Sequence, residues 1–192
     1  LQTAAELGLQ SAQRDLGSCF EQGKGVPRDL GLAVHLFRLA ANQGHAEAQH
    51  SLGGCYADGR GVEKNETTAL MWYRKAADQG HEEAQCAIGA MHRGCEGVER
   101  SDSETFKWYS KAADQGTPEA QHICGVMCEH GRGIEKNEVM AAEWYRKAAD
   151  QGIADAQLSL GFMYEKGHGV TKSEAMAVEW YRKAADQGNA HA

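Results

Sequence analysis

The chain is 192 residues long, 42% hydrophobic, and carries a formal net charge of −7. It has enough apolar material for a core, but its apolar runs are far too short for a membrane span, so no membrane insertion is expected. An acidic chain without a basic stripe does not suit phosphate contacts, and no nucleic acid partner is expected. Glycine is abundant at 23, yet most of these glycines recur at four fixed places and read as structural punctuation.

Recurrence is the main signal. Residues 72–80 read Trp-Tyr-Arg-Lys-Ala-Ala-Asp-Gln-Gly, and the same letters return at 144–152 and 180–188. A copy with Ser110 in place of arginine occupies 108–116, and a degenerate copy runs over 36–44. The period is 36 residues without insertion or deletion. A fixed period of this size marks a repeat array. Five full units are expected, at 9–44, 45–80, 81–116, 117–152 and 153–188. Residues 1–8 align with the tail of a preceding unit, and 189–192 with the start of a following one. The expected organisation is a single solenoid domain, a fragment of a longer protein whose uncapped ends can make end-to-end contacts.

The second unit serves as the template. Ala48, Leu52, Cys55 and Tyr56 fall on one helical face, which predicts a helix A over about 46–57. Glu47, Glu83, Glu119 and Asp155 suit the positive end of their helices. In the fourth unit Thr117 reads as an N-cap and Pro118 as the first helical residue. The run Asp58-Gly59-Arg60-Gly61-Val62 stops helix A, with glycine just past its end. The loop then delivers Asn65, matched by Asp29, Ser101, Asn137 and Ser173, all N-cap types. Ser101 with Glu104 has the spacing of a capping box. Helix B follows, over about 66–79, with Ala69, Trp72, Tyr73, Ala76 and Ala77 as its apolar stripe. Arg74, Lys75 and Asp78 are expected to face water, and Gly80 ends the helix.

Two recurrences inside helix A carry more. Gly17, Gly53, Gly89, Gly125 and Gly161 each cost about 1 kcal/mol relative to alanine. A penalty repeated in every unit predicts close approach of a neighbouring helix, with its tryptophan as the expected contact. Gln13, Gln49, Gln85, Gln121 and Gln157 are read as interhelix hydrogen bonds. The predicted fold is all-α: an α/α superhelical solenoid of helix-turn-helix repeats with a 36-residue period.

The pattern Ala48-x-x-x-Leu52-Gly53-x-x-Tyr56-x-x-Gly59-x-Gly61-Val62, then Ala69-x-x-Trp72-Tyr73-x-Lys75-Ala76-Ala77, resembles the Sel1-like repeat family, a relative of the tetratricopeptide repeats. The resemblance covers essentially the whole chain. It implies helix A lining a concave side and a scaffold or adaptor role in protein complexes, or a module attached to an enzyme. Some secreted members staple helix A to helix B within each repeat. Here Cys19, Cys55, Cys86, Cys95, Cys124 and Cys128 all lie in helix A or the loop after it, so that bridge cannot form. Cys19 and Cys55 hold one position in adjacent units. Packed helices sit about 8–10 Å apart, while a disulfide needs its Cα atoms within about 7 Å. The cysteines read as reduced thiols, and the expected localisation is cytoplasmic.

Four departures from the repeat consensus, His92, Cys95, Cys124 and Cys128, have the ligand types of a zinc site. The preferred reading is a drifted interface with cysteine as a small buried hydrophobe. No metal and no cofactor are expected. Catalytic residues are not expected either. His81-Glu82-Glu83-Ala84-Gln85 begins like a zinc-protease helix without its second histidine, and Gly59-x-Gly61 is too short for a phosphate loop. The Gly-x-Ser-x-Gly elbow is missing.

With core positions removed, helix A leaves a variable face, where solenoids carry recognition. The candidate partner-binding residues on it are His50, Gly54, Asp58, Ala90, His122, Ile123, Val126, His130, Leu158 and Phe162. Ile123, Val126, Leu158 and Phe162 form an apolar landing patch for a peptide or helix, or pack against the next helix. The function expected is a protein–protein interaction scaffold binding a peptide or protein on this face. The alternatives are a regulatory or substrate-recruiting module of a larger enzyme and a metal-stabilised array.

Overall fold

The computed structural model describes residues 2–188, with side chains from Thr3 onward. Among the described residues there are 11 helices and no strand, in an all-α solenoid of helix-turn-helix repeats. The chain divides into two compact units, one up to Arg100 and one from Ser101. The first holds α1 (Gln2–Glu6), α2 (Gln10–Gln22), α3 (Leu30–Asn42), α4 (Ala46–Asp58), α5 (Glu66–Ala77) and α6 (Glu82–Gly94). The second holds α7 (Asp102–Gln115), α8 (Pro118–His130), α9 (Glu138–Asp150), α10 (Ala154–Lys166) and α11 (Glu174–Ala185). Helix A of the sequence reading is α2, α4, α6, α8 and α10; helix B is α3, α5, α7, α9 and α11.

Helix ends follow local chemistry. Asp29, Asn65, Ser101, Asn137 and Ser173 each accept a hydrogen bond from the backbone N–H three residues on. This satisfies one of the donors that a helix start leaves open. His45 and His81 do the same for α4 and α6, with Nδ1 accepting from the Ala48 and Ala84 N–H groups at 3.3 Å. Thr117 departs from its expected role: it stands at the cap position of α8, but its side chain makes no cap hydrogen bond. Pro118, whose missing N–H leaves one fewer donor to satisfy, marks that helix start instead. In the Ser101–Glu104 pair the Glu104 N–H donates to Ser101 Oγ. The Glu104 carboxylate accepts from Trp108 Nε1 at 3.1 Å and Lys107 Nζ at 3.0 Å.

The loop after helix A is fixed by glycine. Gly133 has φ +72°, and a Cβ there would lie 2.1 Å from the Asp102 carbonyl oxygen. Gly61 stands in the same relation to the Leu30 carbonyl oxygen, at 2.4 Å. In each unit this loop lies directly on the backbone at the start of the previous helix B, where no side chain fits.

The first unit buries Val34, Phe37, Ala40, Ala41, Ala48, Leu52, Cys55 and Trp72 in one cluster. The second buries Cys128, Tyr145, Ala148, Ala149, Ala156, Leu160, Met163 and Trp180 in another. The intrahelical glycines meet a different ring from the expected one. A Cβ on Gly53 would lie 2.7 Å from the Tyr73 ring, on Gly125 2.6 Å from Tyr145, on Gly161 2.7 Å from Tyr181 and on Gly17 2.8 Å from Phe37. The close partner is the aromatic residue after tryptophan, not tryptophan itself. The two are neighbours on one stripe, about 100° apart around the helix. Tryptophan carries a lysine on its ring: Lys75 over Trp72 at 4.1 Å, Lys147 over Trp144 at 4.0 Å and Lys183 over Trp180 at 3.8 Å. Trp72 and Trp180 are buried and Trp144 is half-buried.

The recurrent glutamines tie each repeat to the one before it. Gln49 Nε2 donates to the Ala41 carbonyl at 3.1 Å, and Gln49 Oε1 accepts from Gln79 Nε2 at 2.8 Å. In the second unit Gln121 bonds Ala113 and Gln151, and Gln157 bonds Ala149 and Gln187. All five helix A glutamines are buried, so these bonds satisfy polar groups that burial would otherwise penalise.

Candidate functional site

The helix A faces of the two units differ in chemistry. In the first unit, Arg14, Ser18, Glu21, Glu47, His50, Ser51, Gly54, Asp58, Arg60 and Tyr73 line a cavity of about 410 Å³. Arg60 organises it. Its guanidinium Nη1 pairs with Glu21, and its Nε donates to Asp58 at 3.1 Å. The guanidinium also lies over Gly54, where a Cβ would meet Arg60 Nη2 at 2.9 Å. Gly54 thus gives Arg60 its place. His50 is half-buried, its ring 5.6 Å from Tyr73 and stacked 4.7 Å from His81. Burial, then the nearby His81, lowers the His50 pKa below the ordinary histidine value. His81 Nε2 lies 3.1 Å from Glu47 Oε2. Burial pushes the Glu47 carboxyl up, but the His81 hydrogen bond and nearby positive charge leave it below its usual range. Tyr73 is pushed up to about 12, by burial and then by the Asp58 charge. Ala90, on α6, is half-buried.

In the second unit part of this face is apolar, the position of Gly54 being held by Val126 and Phe162. Phe162 is 41% exposed. Ile123, Val126 and Leu158 are half-buried, and Val126 packs on the core cluster of that unit. His168 is set edge-on against Phe162 with ring centroids 5.9 Å apart, and Lys166 Nζ lies 5.7 Å from that ring. His122 is half-buried against Tyr145 at 5.7 Å, and burial lowers its pKa against the opposing pull of Asp155. His130 is exposed, with Nδ1 2.9 Å from the Val126 carbonyl oxygen. Tyr145 donates to Glu129 Oε2 at 2.6 Å, and Tyr181 to Glu165 Oε2 at 3.0 Å.

Of the cysteine and histidine candidates, His92 and Cys95 belong to the first unit, and Cys124 and Cys128 to the second. His92 is buried with Nδ1 3.0 Å from the Glu99 carbonyl oxygen. Cys124 and Cys128 are buried. Burial raises the Cys128 thiol pKa, and burial followed by Glu66 raises that of Cys95. Sequence reasoning did not assign Arg60, Glu21 or Glu47 to the variable face. The available signal was one loop position that holds Lys24, Arg60, Glu96, Arg132 and His168 in turn.

Tandem hairpins with a constant core and a changing helix A face define an α/α repeat scaffold. The sequence matches the family described as Sel1 repeat at residues 10–45, 46–81, 82–117, 118–153 and 154–189. The chain belongs to the Sel1 repeat family. Among solved structures it is similar to a protective antigen present in uropathogenic Escherichia coli strains displaying an SLR fold. Identity is 39% over 98% of this chain and 40% of that one, with a TM-score of 0.94. It is also similar to a Sel1 repeat protein from Oxalobacter formigenes, at 33% identity over 96% of this chain and 76% of that one, TM-score 0.90. An immunity protein from Pseudomonas aeruginosa matches at 27% identity over 93% of this chain and 66% of that one, TM-score 0.53. The chain spans 40% of the length of the E. coli relative. No curated protein sequence matches it. Sel1 repeats are generally protein–protein interaction modules and typically non-catalytic. Among the described residues, no helix is long and apolar enough to cross a membrane.

Proposed function

We propose that this chain is a protein-interaction scaffold that takes a peptide or protein segment on its concave helix A face. The observation that carries the reading is Phe162, a large apolar side chain left 41% exposed on helix A. Leu158 stands one turn before it on the same helix, and Ile123 and Val126 of the previous helix A are half-buried. A core position would not leave the ring in water, and a purely solvated position would not need it. In the first unit the face is polar, with His50, Gly54 and Asp58 around the Arg60 guanidinium, and it suits charged or hydrogen-bonding side chains.

The test is selection of binders from a random peptide library displayed on phage. The expected result is a set of peptides with apolar anchors. Burying a phenylalanine contributes about 1.5–3 kcal/mol, and each 1.4 kcal/mol is about tenfold in affinity. Phe162→Asp should therefore weaken the selected peptides at least about tenfold while leaving the melting temperature unchanged. Equal affinity for both proteins would remove the apolar patch as the docking surface.

A further inference from the structure

Glu47, His50 and His81 bring three metal-ligating atoms within 4.8 Å of one another, each from a partly buried side chain. Two repeats are needed to build this group. Glu47 and His50 stand one turn apart on α4, a spacing that puts both on one helix face. His81 is the cap residue of α6, the next helix A. The Glu47 Oε2 to His81 Nε2 distance is 3.1 Å, and the His50 and His81 rings stack at 4.7 Å. Glu47 and His50 also line the polar cavity of the first unit.

We propose that Glu47, His50 and His81 form a binding site for a divalent transition ion of the Zn²⁺ class. Two imidazole nitrogens and one carboxylate oxygen suit such an ion, whereas Mg²⁺ and Ca²⁺ call for more oxygen ligands. Bonds of about 2.0–2.1 Å in a tetrahedron set ligand atoms about 3.3 Å apart. The Glu47–His81 edge already has nearly that length, and side-chain rotation of His50 closes the others. The fourth position is left for water on the cavity side.

A second carboxylate completes the arrangement. As the structure stands, His81 Nδ1 accepts from the Ala84 N–H, so its proton sits on Nε2, facing Glu47. An ion bound at Nε2 needs the other tautomer, with the lone pair on Nε2 and the proton on Nδ1, and the Ala84 N–H then gives up Nδ1 as its acceptor. Glu83 Oε2 lies 3.2 Å from Nδ1 and receives that proton in a hydrogen bond. This is the carboxylate–histidine–metal relay that fixes the ring and raises its basicity. Other repeats lack the set: the corresponding residues are Ser11, Arg14 and His45 in one case, and Glu119, His122 and Ile153 in another. Among the described residues the group occurs once, not in every repeat.

Titration with Co²⁺, read by its visible d–d absorption, and with Zn²⁺, read by calorimetry, tests the assignment. One equivalent of each should bind, without a thiolate-to-cobalt charge-transfer band. His81→Asn removes the imidazole and keeps a residue type able to cap α6. His81→Asn and His50→Gln should each lower affinity at least about tenfold, and Glu83→Gln about tenfold through the lost relay. Metal-free melting curves of the variants should match the parent. Absence of binding, a thiolate band, or unchanged affinity in both histidine variants would overturn the proposal.

Discussion

The two units have cores built to one pattern and treat the same carboxylate position in different ways. In the second unit Glu129 and Glu165 are each bound by the phenol of their own repeat, Tyr145 and Tyr181. In the first repeat, which carries Glu21, the phenol is missing, because Phe37 stands where those tyrosines stand. Glu21 therefore meets Arg60 from the following repeat instead. That ion pair draws the guanidinium across Gly54 and makes the face polar. Three repeats later the position of Gly54 is Phe162 and the position of Arg60 is His168. One hydroxyl group, present or absent inside the core, thus accompanies a change in what the outer face offers a partner.

Truncation of the shared core tests the likeness most strongly. Tyr145 is 1% exposed, and Tyr145→Ala should cost about 3–5 kcal/mol, as large aromatic deletions do. Tyr73→Ala should cost a similar amount in the first unit. Chemical denaturation reads both, and a loss below about 1 kcal/mol in either would break the equivalence of the two cores.

Next come the loops. Gly133→Ala strains a left-handed residue and drives a Cβ into the Asp102 carbonyl, so a loss of about 1–3 kcal/mol is expected. Gly61→Ala should behave alike, and a neutral result in either would mean that the loop moves off the neighbouring helix freely.

The phenols then separate the units. Tyr145→Phe removes a hydrogen bond to a charged group, worth about 1.5–3 kcal/mol. Ala57 stands opposite Tyr73 where Glu129 stands opposite Tyr145, so Tyr73→Phe should stay within about 0.5 kcal/mol. Equal losses would erase the contrast drawn above.

The smallest effect is one of pH. His122 has a pKa below the ordinary 6.5, lowered first by burial. A folded-state pKa below the unfolded one means that the unfolded chain takes up the proton first. Stability should fall as pH drops through about 6.5, and His122→Gln should flatten that fall in thermal melts. An unchanged slope would show that the ring is solvated in the folded protein.

The architecture was legible because it rests on local, repeated chemistry: period, cap residues, and the stripe of Ala69, Trp72, Tyr73, Ala76 and Ala77. The choice between Trp72 and Tyr73 against Gly53 was not legible. Both lie on the buried stripe, and only helix crossing geometry decides which ring turns inward. Phe162 stood out as an apolar residue at a variable position, while its exposure had to come from coordinates. The groove around Arg60 and the Glu47–His50–His81 group draw on neighbouring repeats. Their members come from different repeats of the chain and carry no short motif.

The buried glutamine ties have a consequence for how such a molecule changes length. Gln49 reaches back 8 residues to Ala41 and forward 30 to Gln79. Excising residues 45–80 would set Gln85 at that same reach from Ala41, with His81 following Gly44 as it now follows Gly80. The chain can therefore grow or shrink by whole periods with these glutamine ties remade, whereas another increment moves the glutamine away from its carbonyl partner.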